Sequence, residues 1–117
     1  MTHQAPPSSA PAAADPGRQV AQLREALRLV ERIAGRSESL SHEDRLDEAA
    51  RISEAFARAL PVAQRRFEAR VAETALWAAA GVEALLAAGE GSPPRAAAAR
   101  LAASLDHALS EMAAILR

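Results

Sequence analysis

Residues 54–69 read Glu-Ala-Phe-Ala-Arg-Ala-Leu-Pro-Val-Ala-Gln-Arg-Arg-Phe-Glu-Ala, and the proline at position 61 decides the fold. An apolar line at helical spacing runs on either side of it. Before it come Leu46, Ala49, Ile52 or Ser53, Phe56 and Leu60; after it come Phe67, Val71, Thr74 or Ala75, Ala78, Val82 and Leu85. Steps that alternate between three and four mark the packed seam of a heptad helix. An interior proline removes one backbone hydrogen bond and its ring crowds the preceding turn. A true break normally brings turn residues and a new N-cap. Here Ala59 and Leu60 are poor caps, and no Gly, Asn, Asp or Ser stands beside them. The pattern therefore predicts one kinked helix over about 42–88. The alternative is two helices meeting at a tight corner, with Pro61 at the first position of the second.

Toward the C-terminus, Gly89-Glu90-Gly91 is placed to end that helix and Ser92-Pro93-Pro94 to open the next, with Ser92 as N-cap and Pro93 at the first helical position. The last helix has the cleanest seam: Ala98, Leu101, Leu105, Ala108, Met112 and Ile115. Toward the N-terminus, Ser41 reads as an N-cap with Asp44 in the capping-box place. Glu43, Asp44, Asp47 and Glu48 load the first turns with negative charge, which the helix dipole favours. Residues 36–40 form a short linker, and Gly35 is placed to end the first helix in a left-handed conformation. That helix starts at Asp15-Pro16-Gly17, with Asp15 as cap and Pro16 just inside. Its seam is Val20, Leu23, Leu27, Val30 and Ala34, widened by Leu29 and Ile33. Residues 1–16 read as a disordered Ala/Pro-rich tail, and 17–117 as a single helical domain.

The expected fold is all-α: antiparallel helical hairpins or a bundle with a long Pro-kinked central helix, or a four-helix bundle if the chain breaks at Pro61. Both clear turns are short, so each terminal helix should fold back on the segment beside it. A continuous middle helix would be about 70 Å long at roughly 1.5 Å per residue. Each half would then be a two-helix hairpin, too thin to bury both faces of its partner, and the chain should associate with itself or with another helical protein. With a break, the four segments can close into a monomer.

Composition agrees with helices and a modest core. Of 117 residues about a quarter are Ala, the best helix former, and the aromatics are only Phe56, Phe67 and Trp77. There is no Cys, which excludes disulfides, thiol nucleophiles and cysteine metal sites and fits a cytoplasmic protein. The N-terminal stretch lacks the basic and apolar regions of a signal peptide. Residues 71–89 are apolar for their length but hold Glu73 and Glu83, so they read as a packed helix with no membrane role.

Candidate chemistry is sparse. His42 with Glu43 and Asp47, or His107 with Glu111, would be the start of a metal-binding or small-ligand bundle. An acidic helix N-terminus explains the first, and two ligands from one helix do not make the second. Asp106-His107-Ala108-Leu109-Ser110 has neither Lys nor Gly where a phosphorelay histidine would have them. No nucleophile elbow or glycine-rich phosphate loop occurs. We expect no catalytic residues, no cofactor and no metal, and not an enzyme.

The arginines are more suggestive. All 14 basic residues are Arg, a pattern that a GC-rich genome would also produce, as it would the abundant Ala. Arg24, Arg28, Arg32 and Arg36 step by four along the first helix; Arg51, Arg58 and Arg65, joined by Arg66, step along the middle. Residues 16–36 and 51–70 each carry +3, against −4 for 37–50 and −3 for 71–91. Such blocks fit docking of basic against acidic segments on a neighbouring subunit, non-sequence-specific contact with a nucleic-acid backbone, or ordinary solvated faces. The net charge of −1 argues against general nucleic-acid or membrane affinity. In the small-residue stretch 72–80, Trp77 is a candidate interface anchor.

The leading expectation is a non-catalytic helical interaction or oligomerisation protein, an adaptor or assembly subunit that is a homo-oligomer or binds a helical partner. One alternative is a DNA-packaging subunit that contacts nucleic acid through its Arg stripes, and another is a small-ligand or metal-binding helical bundle. The architecture is similar to that of the oligomerisation cores of phage-type small terminases, short helical hairpins that form rings and hold DNA by Arg or Lys. That likeness is architectural, since no motif of the family stands in this chain.

Overall fold

The chain breaks at Pro61. A computed structural model describes residues 15–37, 40–88 and 94–117, and in it α1 spans Pro16–Ile33, α2 His42–Arg58, α3 Pro61–Ala87 and α4 Arg95–Ile115. The continuous kinked helix expected over 42–88 is thus replaced by the corner. Ala59 (φ −74°, ψ 155°) and Leu60 (φ −66°, ψ 151°) are both extended, and Pro61 opens α3. The ring of a proline pushes the residue before it out of the helical region, and two extended residues suffice to turn the chain. Leu60 offers no side-chain cap, as its type implies. Gln64 ties the corner together: its Nε2 donates at 2.6 Å to the Phe56 carbonyl, which also accepts from the Ala59 amide at 3.1 Å and so closes the last turn of α2. Phe56 and Phe67 meet edge to face across the corner with ring centroids 5.7 Å apart.

The other helix ends follow local chemistry. Asp15 accepts from the Arg18 amide at 3.3 Å, and Ser41 accepts from the Asp44 amide at 3.1 Å. Gly35 lies at φ +78°, and the amides of Gly35 and Arg36 donate back to the carbonyls of Arg32 and Glu31. This paired closure is the Schellman arrangement, which needs a left-handed residue that glycine adopts without strain. The expected stop at Gly89-Glu90-Gly91 and start at Ser92-Pro93 lie outside the described residues, as does the tail up to residue 14. Within them, α3 ends with the Ala88 amide on Ala84, and Pro94 precedes α4.

α1 and α2 run antiparallel, as do α3 and α4, but the four helices do not form an even square. α1 is central and packs on α2, α3 and α4; α3 also packs on α4, while α2 scarcely touches α3 or α4. The core is therefore mainly a three-helix one. It contains Val20, Leu23, Leu27 and Val30 from α1, Phe67, Val71, Thr74, Ala78 and Leu85 from α3, and Ala98, Ala102, Leu105, Ala108, Leu109 and Met112 from α4. The seams expected on these helices hold, with Thr74 buried in preference to Ala75 and its hydroxyl donating to the Arg70 carbonyl at 2.7 Å.

α2 differs. Ile52 is its one buried residue, and Leu46 and Leu60, expected on its seam, are 58% and 72% exposed. With no second helix beside it, α2 needs only a narrow contact line. Much of its attachment is polar. The Gly17 amide donates to Ser53 Oγ at 3.1 Å, and a Cβ added at Gly17 would collide with the Ala49 carbonyl oxygen and Ser53 Oγ. Glycine is thus required by the close approach of α1 to α2.

Candidate functional site

The arginine stripes are split by the fold. Arg24 is taken into the molecule: its Nε and Nη2 fork the two carboxylate oxygens of Glu48 at 2.9 Å each, and Nη1 lies 3.9 Å from Asp106. A bidentate, largely shielded pair of this kind fixes geometry, and here it ties α1 to α2. Arg28 meets Glu25 at 3.6 Å and Arg58 meets Glu54 at 3.8 Å. Arg32, Arg36, Arg51, Arg65 and Arg66 are exposed. They do not converge. Arg32 borders Leu85 and Leu86 at the far end of α3 from Arg65 and Arg66, about 30 Å along the helix at roughly 1.5 Å per residue.

Polar clusters elsewhere are closed on themselves. Arg70 on α3 donates to Glu111 on α4 at 2.6 and 3.0 Å and to Glu73 at 3.0 Å. Burial opposes the Arg70 charge, but the two carboxylates outweigh it and hold the guanidinium above its ordinary pKa. His107 Nε2 lies 3.4 Å from Glu111, as their i, i+4 spacing allows. His42 Nδ1 sits 3.5 Å from Arg45. Among the described residues no three His, Cys, Asp or Glu side chains are placed to hold a metal ion. Trp77 is half-buried against the core and borders Leu101, Ser104 and His107 on α4, so its indole lies along the α3–α4 junction. Among the described residues no helix is long and apolar enough to cross a membrane.

The feature that stands apart is the outer face of α3. Its inner face is the buried line Phe67, Val71, Thr74, Ala78 and Leu85. On the opposite side, Val62, Leu76 and Leu86 are 54%, 76% and 61% exposed. Ala69, Ala72 and Ala79 lie exposed between them, and the charges on the same line are Arg65 and Glu83. Neither makes an ion pair among the described residues. Beside this face, α1 and α3 leave an open groove of about 880 Å³ whose walls include Leu23, Ala26, Leu29, Ala75, Val82 and Leu86. A surface helix normally turns a polar face to water, whereas here large apolar side chains share the outward side with Arg65, Arg66, Glu68, Glu73 and Glu83. In the small-residue stretch 72–80, Trp77 is the candidate anchor by residue type. The exposed large apolar residue of that stretch is its neighbour Leu76, which lies on a second three-four line offset from the core seam.

Compared with protein-family models, curated proteins and solved structures, the chain finds no match.

Proposed function

We propose that this chain is a non-catalytic helical association protein, an oligomerisation or adaptor module that self-associates through the outer face of α3. The observation that carries the reading is the row Val62, Leu76 and Leu86, three large apolar side chains each more than half exposed on one helix face. Scattered exposed leucines are ordinary, whereas an apolar row on one face marks a contact surface. Burial of such area is worth about 25 cal/mol per Å², and neighbouring alanines let a second helix approach closely. The alternating charge blocks on α3 agree with docking between subunits.

The geometry gives less support to nucleic-acid contact through the Arg stripes. Arg24 is committed to Glu48, Arg28 and Arg58 have carboxylate neighbours, and the exposed arginines stand at opposite ends of α3. Light scattering after size exclusion tests the association reading. The native chain should have a mass above the 12.3 kDa monomer, and Leu76→Arg should return it to monomer with unchanged helix content. Native protein that stays monomeric at hundreds of micromolar would contradict it.

A further inference from the structure

The outer line of α3 has an internal order that specifies how two copies meet. Its residues are Val62, Arg65, Ala69, Ala72, Leu76, Ala79, Glu83 and Leu86, separated by steps of three and four throughout. This is a second heptad seam, with Arg65, Ala72, Ala79 and Leu86 at one core position and Val62, Ala69, Leu76 and Glu83 at the other. The line also reads complementarily from its two ends. Val62 at the start answers Leu86 at the end, Arg65 answers Glu83, Ala69 answers Ala79, and Ala72 answers Leu76.

We infer that two copies of this chain pair through α3 as an antiparallel two-stranded coiled coil in that register. This rests on the association reading above and adds the stoichiometry, the orientation and the residues that select them. In antiparallel coiled coils, each residue at one core position faces the other core position of its partner, and every pair just named obeys that rule. The two-fold axis then passes between Ala72 and Leu76. Each Leu76 packs over the Ala72 of the other copy, and small residues in three of the eight places allow an interaxial distance near the lower end of the usual 8–10 Å. Val62 and Leu86 close the two ends.

Arg65 and Glu83 set the orientation. Antiparallel pairing brings Arg65 of each copy to Glu83 of the other, so two exposed charges that make no ion pair among the described residues gain a partner. Parallel pairing in register would place Arg65 against Arg65 and Glu83 against Glu83. Charges at such positions contribute to partner choice and register more than to affinity. The strip from Val62 to Leu86 is about 37 Å long at roughly 1.5 Å per residue. A single helix pair of that length lies near the small end of specific interfaces, about 1,200 Å² in total, and an affinity on the order of micromolar fits it.

Charge exchange tests the register. Arg65→Glu and Glu83→Arg should each weaken the dimer by on the order of tenfold or more, and the double variant Arg65→Glu/Glu83→Arg should restore it. Both sites are exposed, and circular dichroism will show that each variant folds. A nitroxide on Ala87→Cys, the sole thiol in a chain without cysteine, should report about 40 Å between copies in the antiparallel register at roughly 1.5 Å per residue. Labels near 10 Å apart, failure of the double variant to recover, or a mass other than two chains would overturn the pairing. If association persists and still depends on Leu76, those same results leave the association reading standing. A native monomer would remove both.

Discussion

Helices α2 and α3 flank the same central helix, and they treat solvent differently. α2 turns outward Glu43, Asp44, Asp47, Arg51, Glu54 and Arg58, with Leu46 the one large apolar residue among them beside Ala50 and Ala57. α3 turns outward Val62, Leu76, Leu86 and a run of alanines on one line with Arg65 and Glu83, with Arg66, Glu68 and Glu73 exposed beside that line. α2 is held by one buried side chain, Ile52, and by polar ties such as Arg24–Glu48 and Gly17–Ser53. α3 has a full core seam and a second apolar line left over. An amphipathic helix is complete once its stripe is covered. By that criterion α2 is finished within the monomer and α3 is not.

Substitutions that separate these roles follow in order of expected effect. Phe67→Ala removes a fully buried ring on the inner face of α3, together with its edge contact to Phe56, and should cost about 3–5 kcal/mol in urea unfolding. Gly17→Ala forces α1 away from the Ala49 carbonyl and Ser53. It should cost about 1–3 kcal/mol, with amide exchange rising first in α2. Glu48→Ala leaves the shielded Arg24 guanidinium without its fork and should cost about 1–3 kcal/mol. Gly81→Ala is milder. Its new Cβ meets the side-chain tip of Leu101 at 2.7 Å, which can move, and the gain in helix propensity offsets the shift. Leu46→Ser and Leu76→Ser, measured where the chain is monomeric, should each change stability by less than about 0.5 kcal/mol. Only Leu76→Ser should lower the association mass, so an equal effect of both would erase the distinction between the helices.

What was legible in the sequence is what local chemistry determines. Asp15, Ser41 and Gly35 cap their helices as their types require, and the seam Val20, Leu23, Leu27 and Val30 is buried as its spacing requires. The break at Pro61 was less legible, because the partner that makes it tolerable is Gln64, reaching back to Phe56 across the corner. No cap preference predicts such a contact. Arg24 looked like one member of a surface stripe; only packing shows that the Glu48 carboxylate stands opposite it. Leu46 and Leu60 continued an apolar line, but α2 has a single helix to lean on, so its line ends early. Alanine hides the outer face of α3 most effectively, since Ala69, Ala72 and Ala79 suit a core, an interface or solvent equally well by type.

The most direct test of the difference between α2 and α3 is a dilution series of the isotope-labelled native chain followed by amide chemical shifts. The account predicts concentration-dependent shifts along Val62, Arg65, Ala69, Ala72, Leu76, Ala79, Glu83 and Leu86, with the outward residues of α2 unchanged. Shifts concentrated on α2, or none from micromolar to millimolar protein, would contradict it.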